Sequence, residues 1–295
     1  MARASGKVIL LGEHAVVYGV PAIAAGIERG AEARASAAHE ASLVIAGRTV
    51  RADDEMDLAR AFRALLAVLG AGAVRVEARS DLPLGAGLGS SAAIAVAVAR
   101  AVCEHANLDE ALVPEAALAF ERIFHGNPSG IDTAAAQLGG CLWYTREGGA
   151  QPIRLARSLE LVVAIAGPSA STKSMVEAVA RQREQRPEVF QKSLAGIEAL
   201  VKNARLALEA GDLRALGRLF DLNQMLLSGL LVSNEAIENA CAVARSAGAL
   251  GAKLTGAGGG GAVIALCEAG PEPVLEAFRA ADLECFATRV EARRP

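Results

Sequence analysis

The most constraining feature of the sequence is a glycine-rich stretch, residues 83–92, that runs directly into an apolar, alanine-rich segment. Glycine permits tight turns and a close approach of the backbone to a ligand, and the N–H groups at a helix start attract anions. The pattern therefore predicts a phosphate-binding loop, here called the glycine loop, in front of a buried helix. Ser90 and Ser91 fall at the junction, where a hydroxyl can either cap the helix or reach a phosphate-bound Mg²⁺.

The glycine loop does not match the two most familiar phosphate-binding patterns. No Gly-Lys-Ser/Thr follows it, and Gly85, Gly87 and Gly89 lack the dinucleotide-binding spacing. Taken alone, the loop also fits a flexible Gly/Ser connector. The phosphate-binding interpretation therefore depends on the other motifs of the chain.

Length and composition favour a two-domain protein that acts on small molecules. The 295 residues suffice for two domains, and a hydrophobic content of 53% provides a core for each. A formal net charge of -3 without a dense basic run argues against nucleic-acid or anionic-membrane partners. Five scattered cysteines without a Cys-x-x-Cys pair indicate neither a zinc site nor a disulfide framework, and they predict a cytoplasmic location.

Two further segments place polar residues at sharp turns. Residues 7–19 predict a buried strand, a Gly-Glu-His turn at 12–14 and a second apolar strand. Farther along, a helix over 115–124 ends before Pro128, so that Glu121 and Asp132 flank one turn. Each feature also has a structural interpretation, namely a solvated strand-end lysine at position 7, a polar turn, a solvated Glu121 and a helix-capping Asp132.

The remaining pattern predicts alternating strands and helices. Residues 169–174 offer several hydroxyls and a cation before a helix, for which simple capping is the alternative. The other predicted elements are a hairpin at Gly47 within 31–52, helices over 58–69 and 92–102, strands over 74–78, 141–144, 159–166 and 262–266, and long helices within 175–247.

The last motif is a second glycine-rich segment at residues 253–261. Gly256, Gly258 and Gly261 formally satisfy Gly-x-Gly-x-x-Gly, but a strand-like run follows them where a dinucleotide fold requires a helix. A glycine turn that lies against a ligand fits this context better.

Together these motifs resemble the GHMP kinases, the superfamily of galactokinase, homoserine kinase, mevalonate kinase and phosphomevalonate kinase, and most closely its mevalonate kinase family. Residues 13–19 and 127–132 carry the specific part of the resemblance, whereas the glycine loop indicates only the superfamily. Leu231 stands where the family usually has a glycine. The chain is also shorter than animal members between residues 28 and 80, which leaves the adenine contacts unassigned.

The resemblance implies an α+β fold of two domains with the active site in the interdomain cleft. Residues 1–157 would form the GHMP kinase N-terminal domain, with the phosphate-binding loop at 83–92, and residues 158–295 the C-terminal domain. It also implies ATP-dependent phosphorylation of the C5 hydroxyl of (R)-mevalonate by a monomer or homodimer. The alternatives are another GHMP kinase, acting on phosphomevalonate or a sugar, and a non-catalytic ligand sensor, against which the presence of both Lys7 and Asp132 argues.

By the same resemblance, Asp132 would accept the proton of the substrate hydroxyl, and Lys7 would pair with it and stabilise the developing charge. Ser91 and Glu121 would coordinate Mg²⁺. The residues implied to face mevalonate are Glu13, His14, Thr172 and Ala257. Those implied to hold the ATP phosphates are Pro83, Gly85, Ala86, Gly87, Leu88, Gly89, Ser90 and Ser91.

Overall fold

The computed structural model describes residues 1–83, 85–125 and 128–292. Their Cα positions group into two compact units, each assembled from separate chain segments. The first unit contains Met1–Lys7, Arg29–Pro83 and Gly89–Gly139, and the second Val8–Glu28, Leu84–Leu88 and Gly140–Pro295. The mixed α+β composition is confirmed, whereas the predicted domain boundary at residue 157 and the placement of the active site relative to the domains stay predictions.

The secondary structure consists of strands and α-helices with two short 3-10 helices, Ala15–Tyr18 and Glu110–Leu112. The strands are β1 Ala2–Leu11, β2 Ala22–Ala37, β3 Ser42–Ile45, β4 Arg48–Arg51, β5 Val74–Ser80, β6 Cys141–Thr145, β7 Gly149–Pro152, β8 Leu159–Ile165, β9 Gly251–Leu254, β10 Ala262–Cys267 and β11 Cys285–Val290. The helices are α1 Asp57–Leu69, α2 Ser90–Ala106, α3 Val113–His125, α4 Ile131–Leu138, α5 Thr172–Gln185, α6 Pro187–Ala210, α7 Leu213–Gly229, α8 Glu235–Ser246 and α9 Glu272–Ala280.

In the first unit, α2 packs on β5 and α1 contacts β4, while α3 packs on α1 and α2, and α4 packs on α2. Residues 31–37 of β2 pair antiparallel with β5, which pairs in parallel with β3. The predicted hairpin is confirmed, since β3 and β4 are joined at Ala46 and Gly47, whose φ values are 49° and 75°. The alanine-rich helix α2 packs on β5 and is buried along most of its length, as its apolar sequence predicts.

The second unit contains an antiparallel sheet with strand order β11-β8-β10-β9. Helices α7 and α8 pack against β9, and α9 packs against β8 and β11. Residues 22–25 of β2 belong to this unit and pair with β6, which pairs in turn with β7. The strand predicted over 262–266 is confirmed as β10, which leads back antiparallel to β9 after the turn at residues 256–261.

The second apolar strand predicted after the 12–14 turn is wrong. Val16 N–H bonds to Gly12 O and Val17 N–H to His14 O, so the chain coils into the 3-10 helix Ala15–Tyr18, and the next strand begins only at Ala22. Gly12 and His14 both have positive φ, 99° and 58°, which turns the chain back on itself. Turn hydrogen bonding here overrides the strand preference of two adjacent valines.

One helix–strand contact depends on a pair of glycines. A Cβ on Gly251 of β9 would lie 2.0 Å from the carbonyl oxygen of Gly217, and a Cβ on Gly217 of α7 would lie 2.4 Å from Leu250 O. Both distances are shorter than van der Waals contact. The backbones of α7 and β9 therefore pack directly against each other, which positions the polar residues of both elements.

We expect Gly217→Ala to destabilise the protein by about 1–3 kcal/mol because of this overpacking. Alanine would otherwise favour a helix by about 1 kcal/mol over glycine. The matched control is Gly229→Ala, at the last residue of the same helix, where a Cβ would meet no atom within 4 Å. Urea unfolding compares the two variants, and equal stability would contradict the packing argument.

Candidate active site

Lys7 and Asp132 form an ion pair within the first unit. The Nζ atom of Lys7, on β1, lies 3.3 Å from Oδ1 of Asp132, in the first turn of α4. The Lys7 side chain is 5% exposed and that of Asp132 41%. The capping interpretation of Asp132 does not hold, since Gly130 is the N-cap of α4 and no side chain caps it. The pair thus places an accessible carboxylate beside a buried ammonium.

Ser91 and Glu121 lie next to each other in the same unit. The Ser91 hydroxyl donates a hydrogen bond to Oε1 of Glu121, and Nε2 of His125 lies 3.7 Å from Oε2. Burial raises the pKa of Glu121, and the Asp132 charge raises it further, while Ser91, His125 and Lys7 act in the opposite direction. Glu121 is buried rather than solvated, contrary to the structural interpretation of the sequence.

The Ser91 and Glu121 oxygens are hard ligands of the kind that divalent cations prefer. The described residues contain no group of three or more His, Cys, Asp or Glu side chains that could hold a metal ion. A cation here would therefore complete its coordination with water and phosphate oxygens, as Mg²⁺ commonly does. A buried carboxylate with a raised pKa gains from such a cation, so the residues fit the ion.

The described part of the glycine loop has the backbone conformation that only glycine adopts readily. Gly85, Gly87 and Gly89 have φ values of 70°, 77° and 75°. Gly89 is the N-cap of α2, and a Cβ there would lie 2.8 Å from Cγ of Lys7. The hydroxyls of Ser90 and Ser91 do not cap the helix. Leu84, within the predicted loop, lies outside the described residues, as do Gly126 and Asn127 of the motif before Asp132.

In the second unit the 12–14 turn contacts the 256–261 turn. Nε2 of His14 lies 2.8 Å from the carbonyl oxygen of Ala257. A carbonyl oxygen only accepts, so Nε2 carries the hydrogen and donates it, and Nδ1 is left as an acceptor. Burial lowers the pKa of His14, which keeps the ring neutral at neutral pH. The turn therefore presents a hydrogen-bond acceptor.

Glu13, the middle residue of the same turn, belongs to a buried polar cluster. Lys253 Nζ of β9 donates to Oε1 of Glu13, and Asn223 Nδ2 of α7 donates to Oε2 at 3.2 Å. Burial raises the pKa of Glu13, and the Lys253 charge opposes this rise. Sequence reasoning assigned no role to Lys253 or Asn223. The available signal was a lysine inside an otherwise apolar strand.

Thr172 is exposed at the start of α5, and among the described residues it has no hydrogen bond to His14 or Ala257. The cap of this helix is Ser171, whose side chain accepts from Ser174 N–H at 3.1 Å. The neighbouring residues reach the second glycine motif, since a Cβ on Gly259 would lie 2.8 Å from both Ala170 Cβ and Met175 Sδ. The 170–175 segment therefore borders the 256–261 turn, and a substrate contact by Thr172 stays a prediction.

The 256–261 turn packs tightly against backbone. A Cβ on Gly258 would lie 2.1 Å from Val232 O, and one on Gly260 would lie 2.0 Å from Pro168 O. The turn continues into β10 and not into a helix, which confirms that it is no dinucleotide fingerprint. Leu231, where the family usually has glycine, has a φ of 59°, so the chain keeps the glycine-like backbone with an exposed side chain.

Comparison with known families identifies the class of protein. The family model described as GHMP kinases N terminal domain matches residues 57–140, and the one described as GHMP kinases C terminal matches residues 204–282. The fold and both glycine motifs agree with this match. The chain belongs to the GHMP kinase family, and it therefore uses ATP as phosphoryl donor.

Within that family the chain is similar to mevalonate kinases. It is 35% identical to the mevalonate kinase of Pyrococcus horikoshii, covering 98% of this chain and 95% of the relative. It is 33% identical to that of Methanothermobacter thermautotrophicus, with 94% and 93% covered. Among solved structures, L. major mevalonate kinase in complex with R-mevalonate has a TM-score of 0.89 and 31% identity, with 99% of this chain and 96% of that chain covered.

Proposed function

We propose that this protein is a mevalonate kinase, which transfers the γ-phosphoryl group of ATP to the C5 hydroxyl of (R)-mevalonate and forms 5-phosphomevalonate. The observation that carries the proposal is the Lys7–Asp132 pair, with 3.3 Å between Nζ and Oδ1. Its support in sequence is the similarity to mevalonate kinases over nearly the whole chain. Phosphoryl transfer requires positioning and charge stabilisation more than covalent chemistry, and the site residues suit these tasks.

Asp132 is the proposed proton acceptor. As the C5 oxygen attacks the γ-phosphorus, its O–H bond breaks and the Asp132 carboxylate takes the proton, while the bond from phosphorus to the β–γ bridging oxygen breaks and ADP leaves. The exposure of Asp132 allows a substrate hydroxyl to reach it. Lys7 holds the carboxylate in place and stabilises negative charge on the alkoxide or the transferred group.

Ser91, Glu121 and the glycine loop are proposed to handle the nucleotide. Backbone N–H groups of residues 85–91 bind the phosphates at the start of α2, where the helix dipole favours negative charge. Ser91 Oγ and a Glu121 carboxylate oxygen would hold Mg²⁺, which would supply positive charge to the phosphate oxygens.

His14, Ala257 and Thr172 are proposed to face the acceptor. Because Nε2 of His14 donates to Ala257 O, its Nδ1 can accept a hydrogen bond only from a donor such as a hydroxyl group. A hydroxy acid supplies such a donor. Polar groups matched to one acceptor reject poorly matched analogues, because a buried partner is then left unpaired.

Two other functions are weighed against this proposal. A sugar or phosphomevalonate kinase would share the glycine loop and the Lys7–Asp132 pair, so only acceptor preference separates it. A non-catalytic sensor of the same fold would not need an accessible carboxylate beside a buried lysine, which Asp132 and Lys7 provide. The geometry therefore favours an enzyme.

Location and assembly remain part of the proposal. No helix among the described residues is both long and apolar enough to cross a membrane. The cysteines are free, and burial raises the pKa of the Cys141 and Cys241 thiols to about 12. Unpaired thiols suit a reducing compartment, and we propose a cytoplasmic enzyme, monomeric or homodimeric, without a nucleic-acid partner.

We expect Asp132→Asn to retain ATP binding but to lower kcat by at least about 10²-fold, because the amide does not accept the proton. Steady-state kinetics with mevalonate and nucleotide titration measure the two quantities. Asp53→Asn, at an exposed position of the first unit, is the matched control and should leave both unchanged. Near-normal turnover in Asp132→Asn would contradict the assignment of the base.

Glu121→Gln should raise the Mg²⁺ concentration needed for half-maximal activity by about tenfold or more, since it removes an anionic oxygen ligand. A magnesium titration at fixed ATP checks this expectation. Glu115→Gln changes an exposed residue on the same helix α3 and serves as the control. Superimposable titrations for Glu121→Gln and the wild type would make Glu121 structural.

The acceptor itself is tested by ADP release with (R)-mevalonate, galactose, homoserine and phosphomevalonate at equal concentrations. We expect mevalonate to give the highest kcat/KM, by about 10²-fold or more where an analogue lacks a matched polar group. A higher kcat/KM for any of the other three would overturn the mevalonate assignment and leave the kinase class intact.

A further inference from the structure

The polar cluster of Glu13, Lys253 and Asn223 lies outside the proton-transfer pair and is not used by the mechanism above. The side chains of Lys253 and Glu13 are 0% and 1% exposed, and Asn223 is also buried. Glu13 is implied by family resemblance to face the substrate. Glu13 and the neighbouring His14 are both buried, so their hydrogen-bond partners and not their exposure distinguish them.

Each carboxylate oxygen of Glu13 already accepts a hydrogen bond from a protein donor. Oε1 accepts from Lys253 Nζ, and Oε2 accepts from Asn223 Nδ2. The next residue, His14, instead has one ring nitrogen on Ala257 O and the other available as an acceptor. In this turn Glu13 therefore bonds to protein groups, whereas His14 keeps one ring nitrogen as an acceptor for the substrate.

We propose that Glu13, Lys253 and Asn223 are positioning residues that lock the 12–14 turn, and thereby fix His14 in the orientation and tautomer that receive the acceptor hydroxyl. The inference rests on the proposed function for the identity of the acceptor. It assigns Glu13 an indirect role and gives Lys253 and Asn223 a role in acceptor binding.

The cluster connects the two chain segments that carry His14 and its partner. Lys253 also donates to Leu254 O, and Thr255 Oγ1 accepts from Ile9 N–H at 2.7 Å and donates to Ile9 O at 3.2 Å. The two Thr255 bonds join the last part of β1 to the residue that follows β9. Because Glu13 and Ala257 follow these strand ends closely, the same bonds determine how His14 meets Ala257 O.

The Asn223 amide is oriented in the way that an ionised Glu13 requires. An ionised carboxylate only accepts, so the Asn223 amide must turn its NH₂ group toward Glu13. Its Oδ1 is then the one buried side-chain oxygen or nitrogen, within the described residues, that lacks a hydrogen-bond partner. The chain tolerates this unpaired oxygen, which indicates that donation to Glu13 outweighs its cost.

Removal of one member of a buried ion pair leaves an uncompensated charge, whereas removal of both does not. Lys253→Met and Glu13→Gln should each raise the KM for mevalonate about tenfold or more, with a smaller change in kcat and little change in the KM for ATP. The double variant should recover to within about threefold of the wild type, because it buries no charge.

Direct substrate contact by Glu13 predicts the opposite pattern. The double variant would then remain at least as impaired as Glu13→Gln, and this result would overturn the proposal. An equal decline in kcat and in both KM values, together with a lower melting temperature, would also overturn it, because that pattern indicates general destabilisation. Lys202→Met removes an exposed lysine paired with Glu198 and is the control that should change none of these quantities.

A spectroscopic readout separates this proposal from the proposed function. In ¹⁵N-histidine NMR of the wild type, His14 should give the signature of a neutral ring with hydrogen on Nε2, assigned by its loss in His14→Gln. Lys253→Met should mix the tautomers. If Lys253→Met does not fold, Asn223→Leu, which removes one donor without burying a new charge, should show a partial shift.

An unchanged His14 signature in folded Lys253→Met or in Asn223→Leu would overturn the positioning role, whatever the substrate. Failure of the wild type to phosphorylate mevalonate would instead overturn the proposed function and leave the NMR result to decide the role of the cluster. The two failures are therefore distinguishable.

Discussion

Close approach between backbone segments is the constraint on which the second unit depends. In the 256–261 turn, Gly258 and Gly260 occupy places where a Cβ would lie 2.1 Å and 2.0 Å from carbonyl oxygens of Val232 and Pro168. All the glycines of this turn have positive φ. Without side chains in the way, the turn settles against these segments and holds the Ala257 carbonyl where His14 can donate to it. The position of this carbonyl, and with it the His14 hydrogen bond, therefore depends on how closely the backbone packs.

Much of the fold could be predicted from the sequence, because the periodicity of apolar residues and the glycines at turns determine structure locally. The apolar run of α2, the hairpin at Gly47 and the strand after the second glycine motif are all confirmed. The strand expected after the 12–14 turn was wrong, because the hydrogen bonds of a turn with a positive φ at His14 are not encoded in residue propensity. The family resemblance implied the long-range pairing of Lys7 with Asp132, which the structure shows, whereas the pairing of Glu13 with Lys253 was missed. Such contacts depend on the tertiary fold, which local sequence patterns do not specify.

Two lysine–carboxylate pairs in this chain have the same chemical groups but differ in how far they are buried. In the Lys7–Asp132 pair the carboxylate is partly exposed, which suits its proposed exchange of a proton with a ligand. In the Lys253–Glu13 pair both members are enclosed, so loss of either one would leave the other as an uncompensated buried charge. The sequence alone does not distinguish the two lysines, whereas the structure places one beside a partly exposed carboxylate and encloses the other together with its partner.

The segmental make-up of the two units bears on how the protein is made. The second unit needs Val8–Glu28 from the beginning of the chain together with Gly140–Pro295 from its end, and strand β2 contributes residues to both units. During synthesis the early segment leaves the ribosome long before the strands that complete its sheet. Strands β1 and β2 pair with each other, but residues 22–25 of β2 lack their partner until β6 has been translated, which leaves an unpaired strand edge on the nascent chain during this interval.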